Sequence, residues 1–392
     1  MIDKHIDVNL CYGCDSCVQI CPKKCIELRA NEFGMSYPYV DQRKCIKCGQ
    51  CLLVCPSINS EIKKDNSTQK YYAFKNSKKV ITKSASGGAF TAICYEFIKD
   101  VQKYCIWGAV IEKNTLNTEI REIQNIDEIY LFNKSKYVEC STVGVYSKVK
   151  NRLENGYKVV YSGTPCQIAG LRLFLKKNYS NLLCIDLICH GVPTNLVFKK
   201  YVANLESVEN KEVSEYTFRS KDKFFNKVDP YSVRIKFNDG MIKSIPKYKD
   251  KYMVTFLNGA LNRDSCYNCN YSTFNRVGDI TLGDFWGIEN YNADLKSNEG
   301  VSLVVTNTRK GQSVIEEFFN NRNYYLSEVT KNQVVSLNSH LTKKLNKPDS
   351  RERFYSLLKE NDFYNSAIST QRFYSTFRII ISQIYHKYFR KN

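Results

Sequence analysis

The sequence has 392 residues, of which 43% are hydrophobic and 17 are cysteines, and its formal net charge is +19. This length allows two or three domains, and no apolar run approaches the ~20 residues of a membrane helix, so we expect a soluble protein. The positive charge suits an acidic protein partner, an anionic cofactor or an anionic surface. No zinc-finger, helix-turn-helix or RNA-binding signature accompanies it, and we expect no nucleic acid partner.

Near the start of the chain, one cysteine pattern occurs twice. The segments are CYGCDSCVQICP, which begins at Cys11, and CIKCGQCLLVCP, which begins at Cys45. The spacing C-x2-C-x2-C-x3-C-P is typical of bacterial two-cluster ferredoxins, in which the fourth cysteine of each run ligates the other cluster. Residues 1–60 are therefore predicted to form a ferredoxin-like domain with two [4Fe-4S] clusters. The predicted ligands are Cys11, Cys14, Cys17 and Cys55 for one cluster and Cys45, Cys48, Cys51 and Cys21 for the other.

Disulfides and zinc are weaker interpretations of these cysteines. The opening residues MIDKHIDVNL contain no apolar signal segment, so an oxidising compartment is not expected. Nor is the close spacing typical of zinc sites. We expect an anaerobic or reducing cytoplasm, because exposed clusters degrade in oxygen. Cys25 lies outside the frame and is predicted to be a small buried side chain.

After the polar segment Asn59–Lys70, which is predicted to be a linker, strands and helices alternate. YYAFK and CIWGAVI read as strands, and SASGGAFTAICYEFIKD reads as a turn followed by a helix. Further on, KVVYSGTPCQIAGLRLFLKK and NLLCIDLICHG read as strand, turn, helix and strand. The overall class is thus α+β, with the ferredoxin-like domain followed by an α/β domain at residues 70–310 whose sheet is mostly parallel.

The second of these units predicts that two distant cysteines are neighbours. Cys166 follows one strand and Cys189 ends the next, so a right-handed crossover brings both to the carboxyl edge of the sheet. Cys184 lies within the strand and is predicted to be core. Together with the CxxC pair Cys266 and Cys269, the two edge cysteines complete a set of four that predicts a third [4Fe-4S] cluster. A redox dithiol at the CxxC pair is the alternative.

Small-residue turns indicate a cofactor crevice at the same edge. In SASGGAF, Ser86 is a candidate helix cap, and the glycines allow free N–H groups to approach a phosphate; capping alone is the alternative. The turn GTPCQ and the segment GDFW, which contains Asp284, are predicted to lie at the same edge of the sheet. The combination suits a large, anionic, aromatic cofactor such as a flavin, which converts single electrons into pairs.

The ferredoxin segment is followed in order by SASGG, KSKYVECS, YSGTPCQIAGLRLFL, LICHGVPT, FRSKDK, CYNC and RVGDITLGDFWGI. In this respect the chain resembles the coenzyme F420 hydrogenase/dehydrogenase beta-subunit family over residues 1–310. The resemblance implies an FAD domain that exchanges electrons between clusters and a soluble acceptor, which in archaeal members is coenzyme F420. Bacterial relatives with this two-cluster front end often accompany polysaccharide-modifying enzymes. Flavin contacts are implied for Ser84, Ser86, Gly87, Gly88, Lys136, Ser141, Gly163, Thr164, Pro165 and Gln167.

Two further regions each allow two interpretations. His190 is a candidate proton donor, or it only hydrogen-bonds nearby backbone. Residues 311–392 are predicted to form a helical extension that ends in a basic helix with an apolar stripe at Phe377, Ile380, Ile381 and Ile384. This helix suits peripheral contact with a membrane or a protein, and packing on its own domain is the alternative.

These features predict an iron-sulfur flavoprotein oxidoreductase. A ferredoxin-like or other redox protein would supply single electrons, and FAD would exchange a pair with a small organic acceptor, with polysaccharide biosynthesis as one setting. A non-catalytic electron-transfer subunit of a larger redox complex is the alternative.

Overall fold

The computed structural model describes residues 1–61, 69–221, 231–295, 300–321 and 323–371. The strands are β1 (Ile26–Ala30), β2 (Ser36–Val40), β3 (Lys70–Lys75), β4 (Tyr104–Ile111), β5 (Thr118–Ile123), β6 (Lys158–Gly163), β7 (Leu182–Leu187), β8 (Val213–Ser220), β9 (Ser232–Phe237), β10 (Ile242–Pro246), β11 (Ile280–Asp284), β12 (Ser302–Thr306) and β13 (Tyr325–Val329). The helices are α1 (Ser16–Ile20), α2 (Gln50–Leu53), α3 (Lys78–Ile81), α4 (Ala89–Ile98), α5 (Val145–Glu154), α6 (Pro165–Leu175), α7 (Asn195–Glu209), α8 (Lys251–Leu257), α9 (Asp264–Tyr267), α10 (Arg309–Glu316), α11 (Lys331–Leu337), α12 (Ser350–Glu360) and α13 (Phe363–Gln371). Across the described ranges, every helix is too short or too polar to span a bilayer.

The N-terminal domain is a hairpin with one short helix in each cysteine run. Strands β1 and β2 pair antiparallel, with Ile26 opposite Val40. Helices α1 and α2 begin after Asp15 and Gly49, both of which have left-handed backbone conformations. Each helix is short because a Cys-Pro step follows it, and proline cannot continue a helix. The small core contains Cys25, which confirms that this side chain is buried.

An eight-stranded sheet forms the centre of the second domain, in the order β13-β3-β12-β11-β7-β6-β4-β5. The four central strands β11, β7, β6 and β4 run parallel. The β6-α6-β7 unit is the predicted βαβ crossover, and Cys184 is fully buried in β7 as predicted. The parallel α/β domain is thus confirmed at its centre. The strands on both sides pair antiparallel, which the sequence patterns did not indicate.

A second, smaller sheet lies apart from the first. Strands β8, β9 and β10 pair antiparallel in the order β10-β9-β8. They share an aromatic core with helices α7, α8, α12 and α13. Neither this sheet nor its helical cover was predicted.

The C-terminal segment differs from the predicted helical extension. The expected boundary at residue 310 falls inside α10, and β13 pairs antiparallel with β3 at the edge of the central sheet. Helices α11, α12 and α13 follow it. The predicted interfacial stripe from Phe377 to Ile384, and residues 62–68 of the predicted linker, lie outside the described residues.

A buried ion pair fixes the parallel strands near the cysteines. In β7, Asp186 accepts hydrogen bonds from Arg276 at 2.8 Å and from the backbone N–H of Gly278 at 2.7 Å. The side chains of Asp186 and Arg276 are 0% and 1% exposed. A buried charge that loses its partner is costly, so this pair holds the loop after Cys269 against the strand before Cys189.

We expect Arg276→Met to lower the free energy of unfolding by about 3–5 kcal/mol, because it leaves Asp186 buried without its partner. Urea denaturation followed by fluorescence measures this change. The matched control is Arg29→Met, because Arg29 pairs with Glu27 at the surface and such pairs contribute about 0–1 kcal/mol. Equal losses in both variants would contradict the assigned role of the buried pair.

Candidate iron-sulfur and cofactor site

The eight cysteines of the doubled frame surround two separate hollows. Four of them line a cavity of about 170 Å³, which we call the outer hollow: Cys21, Cys45, Cys48 and Cys51. The other four line a cavity of about 20 Å³, which we call the inner hollow: Cys11, Cys14, Cys17 and Cys55. Each hollow therefore gathers three cysteines of one run and the fourth of the other, which is the partition predicted from the sequence.

Cys25 also lines the outer hollow, beyond its predicted packing role. Its Sγ lies 3.4 Å from the Sγ of Cys21. In the same hollow, the backbone N–H of Lys47 donates to Cys45 Sγ at 3.4 Å. Hydrogen bonds of this kind are among the contacts that tune cluster potentials. Within the described residues, no group of three or more His, Cys, Asp or Glu side chains is arranged to hold a single metal ion.

The inner hollow is packed directly against the α/β domain. A Cβ built on Gly170 of α6 would lie 2.6 Å from Ser16 Oγ and 3.1 Å from Cys14 Sγ, so a larger residue at this position would require the helix or these side chains to shift. On the other side, Tyr271 Oη donates to the carbonyl of Pro56 at 2.8 Å, and the N–H of Asn270 donates to Tyr12 Oη at 3.1 Å. The two tyrosine rings lie 5.6 Å apart.

Arg263 binds the two domains together at this contact. Its guanidinium donates to the carbonyls of Ser36 at 2.9 Å and Cys11 at 3.4 Å, and to Glu139 at 3.0 Å. The side chain is 3% exposed. Since Arg263 precedes Cys266 by three residues, it fixes the CxxC loop against the inner hollow.

The structure brings together Cys166, Cys189, Cys266 and Cys269. Cys166 lies in the first turn of α6, after a capping box in which the N–H of Thr164 donates to Gln167 Oε1 at 3.0 Å. Cys189 follows the end of β7, and its Sγ accepts from the N–H of Gly191 at 3.3 Å.

Burial, followed by the charges of neighbouring thiols, raises the pKa values of Cys166 and Cys189 to about 12. The neighbours that act on Cys166 are Cys269 and Cys266, and those that act on Cys189 are Cys166 and Cys269. Such thiols are protonated at neutral pH, and a metal cluster binds thiolates, so binding would release their protons.

A cavity of about 520 Å³ opens beside these thiols and is lined by Cys166 and Cys189. Its volume lies in the range of small-molecule and cofactor sites. Residues of both domains line it, including Tyr12 and Asp15 from the first domain and Asp284 from the second. The cavity is therefore a shared pocket rather than a feature of one domain.

Most of the implied flavin contacts lie on the cavity wall: Ser84, Ser86, Gly88, Lys136, Ser141, Gly163, Thr164 and Gln167. Gly87 and Pro165 do not. A Cβ on Gly87 would lie 2.3 Å from the carbonyl of Phe74, so this glycine serves packing on β3 rather than ligand approach. Pro165 is the first residue of α6, a position where its fixed φ favours helix initiation.

The predicted helix cap at Ser86 is wrong. Its hydroxyl donates to the carbonyl of Val301 at 2.8 Å, and Gly88, with φ +80°, occupies the N-cap position of α4 without a side-chain cap. The first N–H groups of α4 are thus left without the side-chain acceptor that Ser86 was expected to supply, at a helix start that borders the cavity.

Two titratable side chains on the wall have unusual environments. Lys136 Nζ donates to the carbonyls of Leu131 and Asn133 at 2.9 and 2.8 Å, and burial lowers its pKa to about 7. His190 lies 3.2 Å from the carbonyl of Leu257 and 3.0 Å from His340, and burial lowers its pKa to about 4. The neutral imidazole therefore donates from Nε2 to the Leu257 carbonyl, and its Nδ1 faces Nε2 of His340. His190 also lines the cavity, so its role as a proton donor stays a prediction.

Sequence reasoning missed Arg219, Arg263 and Asp15 on this wall. Arg219 pairs with Asp284 and its side chain is 6% exposed. Asp15 accepts from the N–H and hydroxyl of Thr142 at 3.2 and 3.0 Å, and burial raises its pKa to about 6. The FRSKDK motif contains Arg219, but only the fold shows that its charge is buried beside the cavity.

Two ferredoxin-type cysteine sites docked on an α/β domain with a large cavity define an iron-sulfur redox protein. Sequence similarity to known protein families agrees with this class. Residues 10–59 match the model of the 4Fe-4S dicluster domain, and residues 156–332 match that of the C terminus of the coenzyme F420 hydrogenase/dehydrogenase beta subunit. The resemblance drawn from the motifs is confirmed, and the chain is an iron-sulfur electron-transfer protein related to that beta subunit.

Thirteen protein chains of solved structures are also similar to this chain. One belongs to the F420-reducing [NiFe] hydrogenase complex from Methanosarcina barkeri; it is 13% identical, with a TM-score of 0.48 over 75% of this chain and 96% of that chain. No curated protein matches the sequence.

We expect Cys48→Ser to lose about four irons per chain, because one ligand of the outer cluster is removed while the inner hollow stays intact. Iron and acid-labile sulfide analysis of anaerobically purified protein measures the loss. The control is Cys25→Ser, which changes a thiol of the same hollow outside the predicted ligand set and should keep the full content. If Cys25→Ser lost the irons and Cys48→Ser kept them, Cys25 rather than Cys48 would be the ligand.

Proposed function

We propose that the chain is an iron-sulfur flavoprotein oxidoreductase. Electrons from a redox protein donor would pass through three [4Fe-4S] clusters to FAD in the large cavity and on to a small organic acceptor. One observation carries this proposal: Cys166, Cys189, Cys266 and Cys269 meet between the inner hollow and the cavity. Four thiols at this position suit an electron-relay cluster better than a redox dithiol. Cys166 at the start of α6 and Cys189 after β7 lie beside the CxxC pair, and a dithiol would not involve them.

The packing of α6 supports a continuous route. Cys166 lies in the first turn of this helix and Gly170 lies one turn later against Cys14. A single rigid helix therefore sets the distance between a predicted ligand of the third cluster and a predicted ligand of the inner cluster. The N-terminal end of a helix also stabilises a thiolate, which favours ligation by Cys166.

The cavity wall suits an anionic flavin. A bound flavin would supply the conversion between single electrons and an electron pair. The uncapped start of α4 at Gly88 presents backbone N–H groups to a phosphate, whereas at the start of α6 a capping box already engages Thr164 and Gln167. Ser84 and Lys136 add polar groups to the wall. We therefore assign the phosphate side of the flavin to α4.

The proposed acceptor is a small organic molecule that takes up an electron pair. Coenzyme F420 is the acceptor that the family resemblance suggests, and an intermediate of polysaccharide biosynthesis is a second candidate. The alternative function is a non-catalytic electron-transfer subunit in a larger complex. Turnover of an organic acceptor by the isolated chain with an artificial donor supports the enzyme, while activity only in a complex supports the alternative.

The wild-type protein should contain about twelve irons, and the double variant Cys266→Ser/Cys269→Ser about eight, because only the third cluster is lost. Iron and sulfide analysis with EPR of the reduced protein measures this. Cys140→Ser is the control, since Cys140 lines the cavity but lies outside the set of four. About eight irons in the wild-type protein would contradict the prediction of a third cluster.

The affinity for FAD should fall as the pH rises from 6 to 8.5. Lys136 has a pKa of about 7 in the cavity, and a neighbouring phosphate would raise it, so binding takes up a proton and weakens once the free amine is neutral. Lys136→Met should lower the affinity about tenfold at pH 6 and flatten this dependence. Fluorescence titration of the flavin-depleted protein measures both.

Lys148→Met is the matched control, because this lysine lies exposed on α5. An unchanged pH dependence in Lys136→Met would show that Lys136 does not contact the cofactor. Glu139 and Asp15 also line the cavity, and burial raises the pKa of both. A dependence that survives the lysine substitution would point to one of these carboxyl groups.

A further inference from the structure

The two hollows of the N-terminal domain differ in how far their cysteines are exposed. Cys11 and Cys55 of the inner hollow are 8% and 6% exposed, Cys14 and Cys17 are partly exposed, and the α/β domain packs against this end. Cys48 of the outer hollow is exposed, and Cys45 and Cys51 are partly exposed. A protein donor therefore reaches the outer hollow more readily than the inner one.

Cations lie close to the outer hollow along the chain, and two of them, Lys23 and Lys47, line it. All of them are exposed, and each lies within two residues of a cysteine that lines it: Lys23, Lys24, Arg43, Lys44 and Lys47. Asp41 offsets part of this charge, since it lies 3.4 Å from Lys44 and 3.9 Å from Arg43. The net charge of this surface stays positive despite Asp41, although acidic and basic residues are nearly equal in number over the first 60 residues.

An exposed apolar side chain lies among these cations. Ile46, between two predicted ligands, lines the outer hollow and is 58% exposed. An exposed apolar side chain within a charged rim is typical of protein interfaces. We call this surface the outer face and define it by Lys23, Lys24, Arg43, Lys44, Ile46 and Lys47.

We propose that the outer face docks a small acidic one-electron carrier protein and that electrons enter the chain there. The inference rests on the proposed flow of electrons from a protein donor, but it does not require the flavin. In the step itself, the carrier loses one electron and the outer cluster gains one, without bond formation or proton transfer. The charges favour an acidic partner because opposite potentials steer association and orient the two proteins.

The test uses the full-length protein loaded with clusters. We expect Lys23→Glu/Arg43→Glu/Lys44→Glu to slow reduction by a pre-reduced acidic bacterial ferredoxin about tenfold or more at low salt, and the difference should shrink at high salt. Stopped-flow absorbance of the clusters measures the rate. Reduction by dithionite should be unchanged, which shows that the clusters themselves are intact.

The control Lys200→Glu/Lys343→Glu/Lys344→Glu makes the same change in net charge on exposed lysines elsewhere. Its rate should stay near that of the wild type. An equal loss in the control would show that only the net charge matters and would overturn the proposal, as would no loss in the outer-face variant.

Two further measurements test the occupant of the outer face and its independence from the flavin. Vesicles that contain phosphatidylglycerol test an anionic membrane as the occupant: binding that the outer-face variant loses, with an unchanged ferredoxin rate, would overturn the protein assignment. Flavin analysis of the same samples separates this inference from the proposed function. Fast, salt-sensitive reduction of a protein that lacks flavin would support the docking face while it contradicts the flavoprotein.

Discussion

The close contact between the inner hollow and helix α6 is the constraint on which the rest of the structure depends. Gly170 has no side chain where a Cβ would meet Ser16 Oγ at 2.6 Å and Cys14 Sγ at 3.1 Å. The same helix carries Cys166, whose position follows from the Thr164 cap and the Pro165 start. Because protein interiors are close-packed and change little in volume, this helix works as a fixed spacer between two cysteine sites.

Electrostatics reinforce this contact. A cluster held by four thiolates is anionic, so a cluster in the inner hollow and one at the proposed third site would repel each other. Arg263 lies beside Cys11 and three residues before Cys266, so its buried charge is close to both sites. Glu139 partly offsets it, and the pair leaves the guanidinium free to donate to carbonyls of the first domain. The arginine thus combines a structural bond with a local positive charge.

How much the sequence predicts depends on how local each feature is. The two hollows follow from spacing within eleven residues, and the meeting of Cys166 with Cys189 follows from the handedness of one crossover. The small sheet of β8, β9 and β10, the edge strand β13 and the bond from Ser86 to Val301 depend on contacts between distant segments. A serine before a glycine predicts a cap equally well whether or not a distant carbonyl competes for its hydroxyl.

The cavity changes how the first domain should be understood. Tyr12 and Asp15 lie between predicted ligands of one cluster and also line the cavity beside Cys166. Asp15 is held there by Thr142, which belongs to the other domain. A ferredoxin that only delivered electrons would need no such wall residues. Because the first domain closes part of the pocket, substitutions in its cysteine loops act on the shape of the pocket as well as on the clusters, and a foreign ferredoxin domain could not replace it without rebuilding that wall.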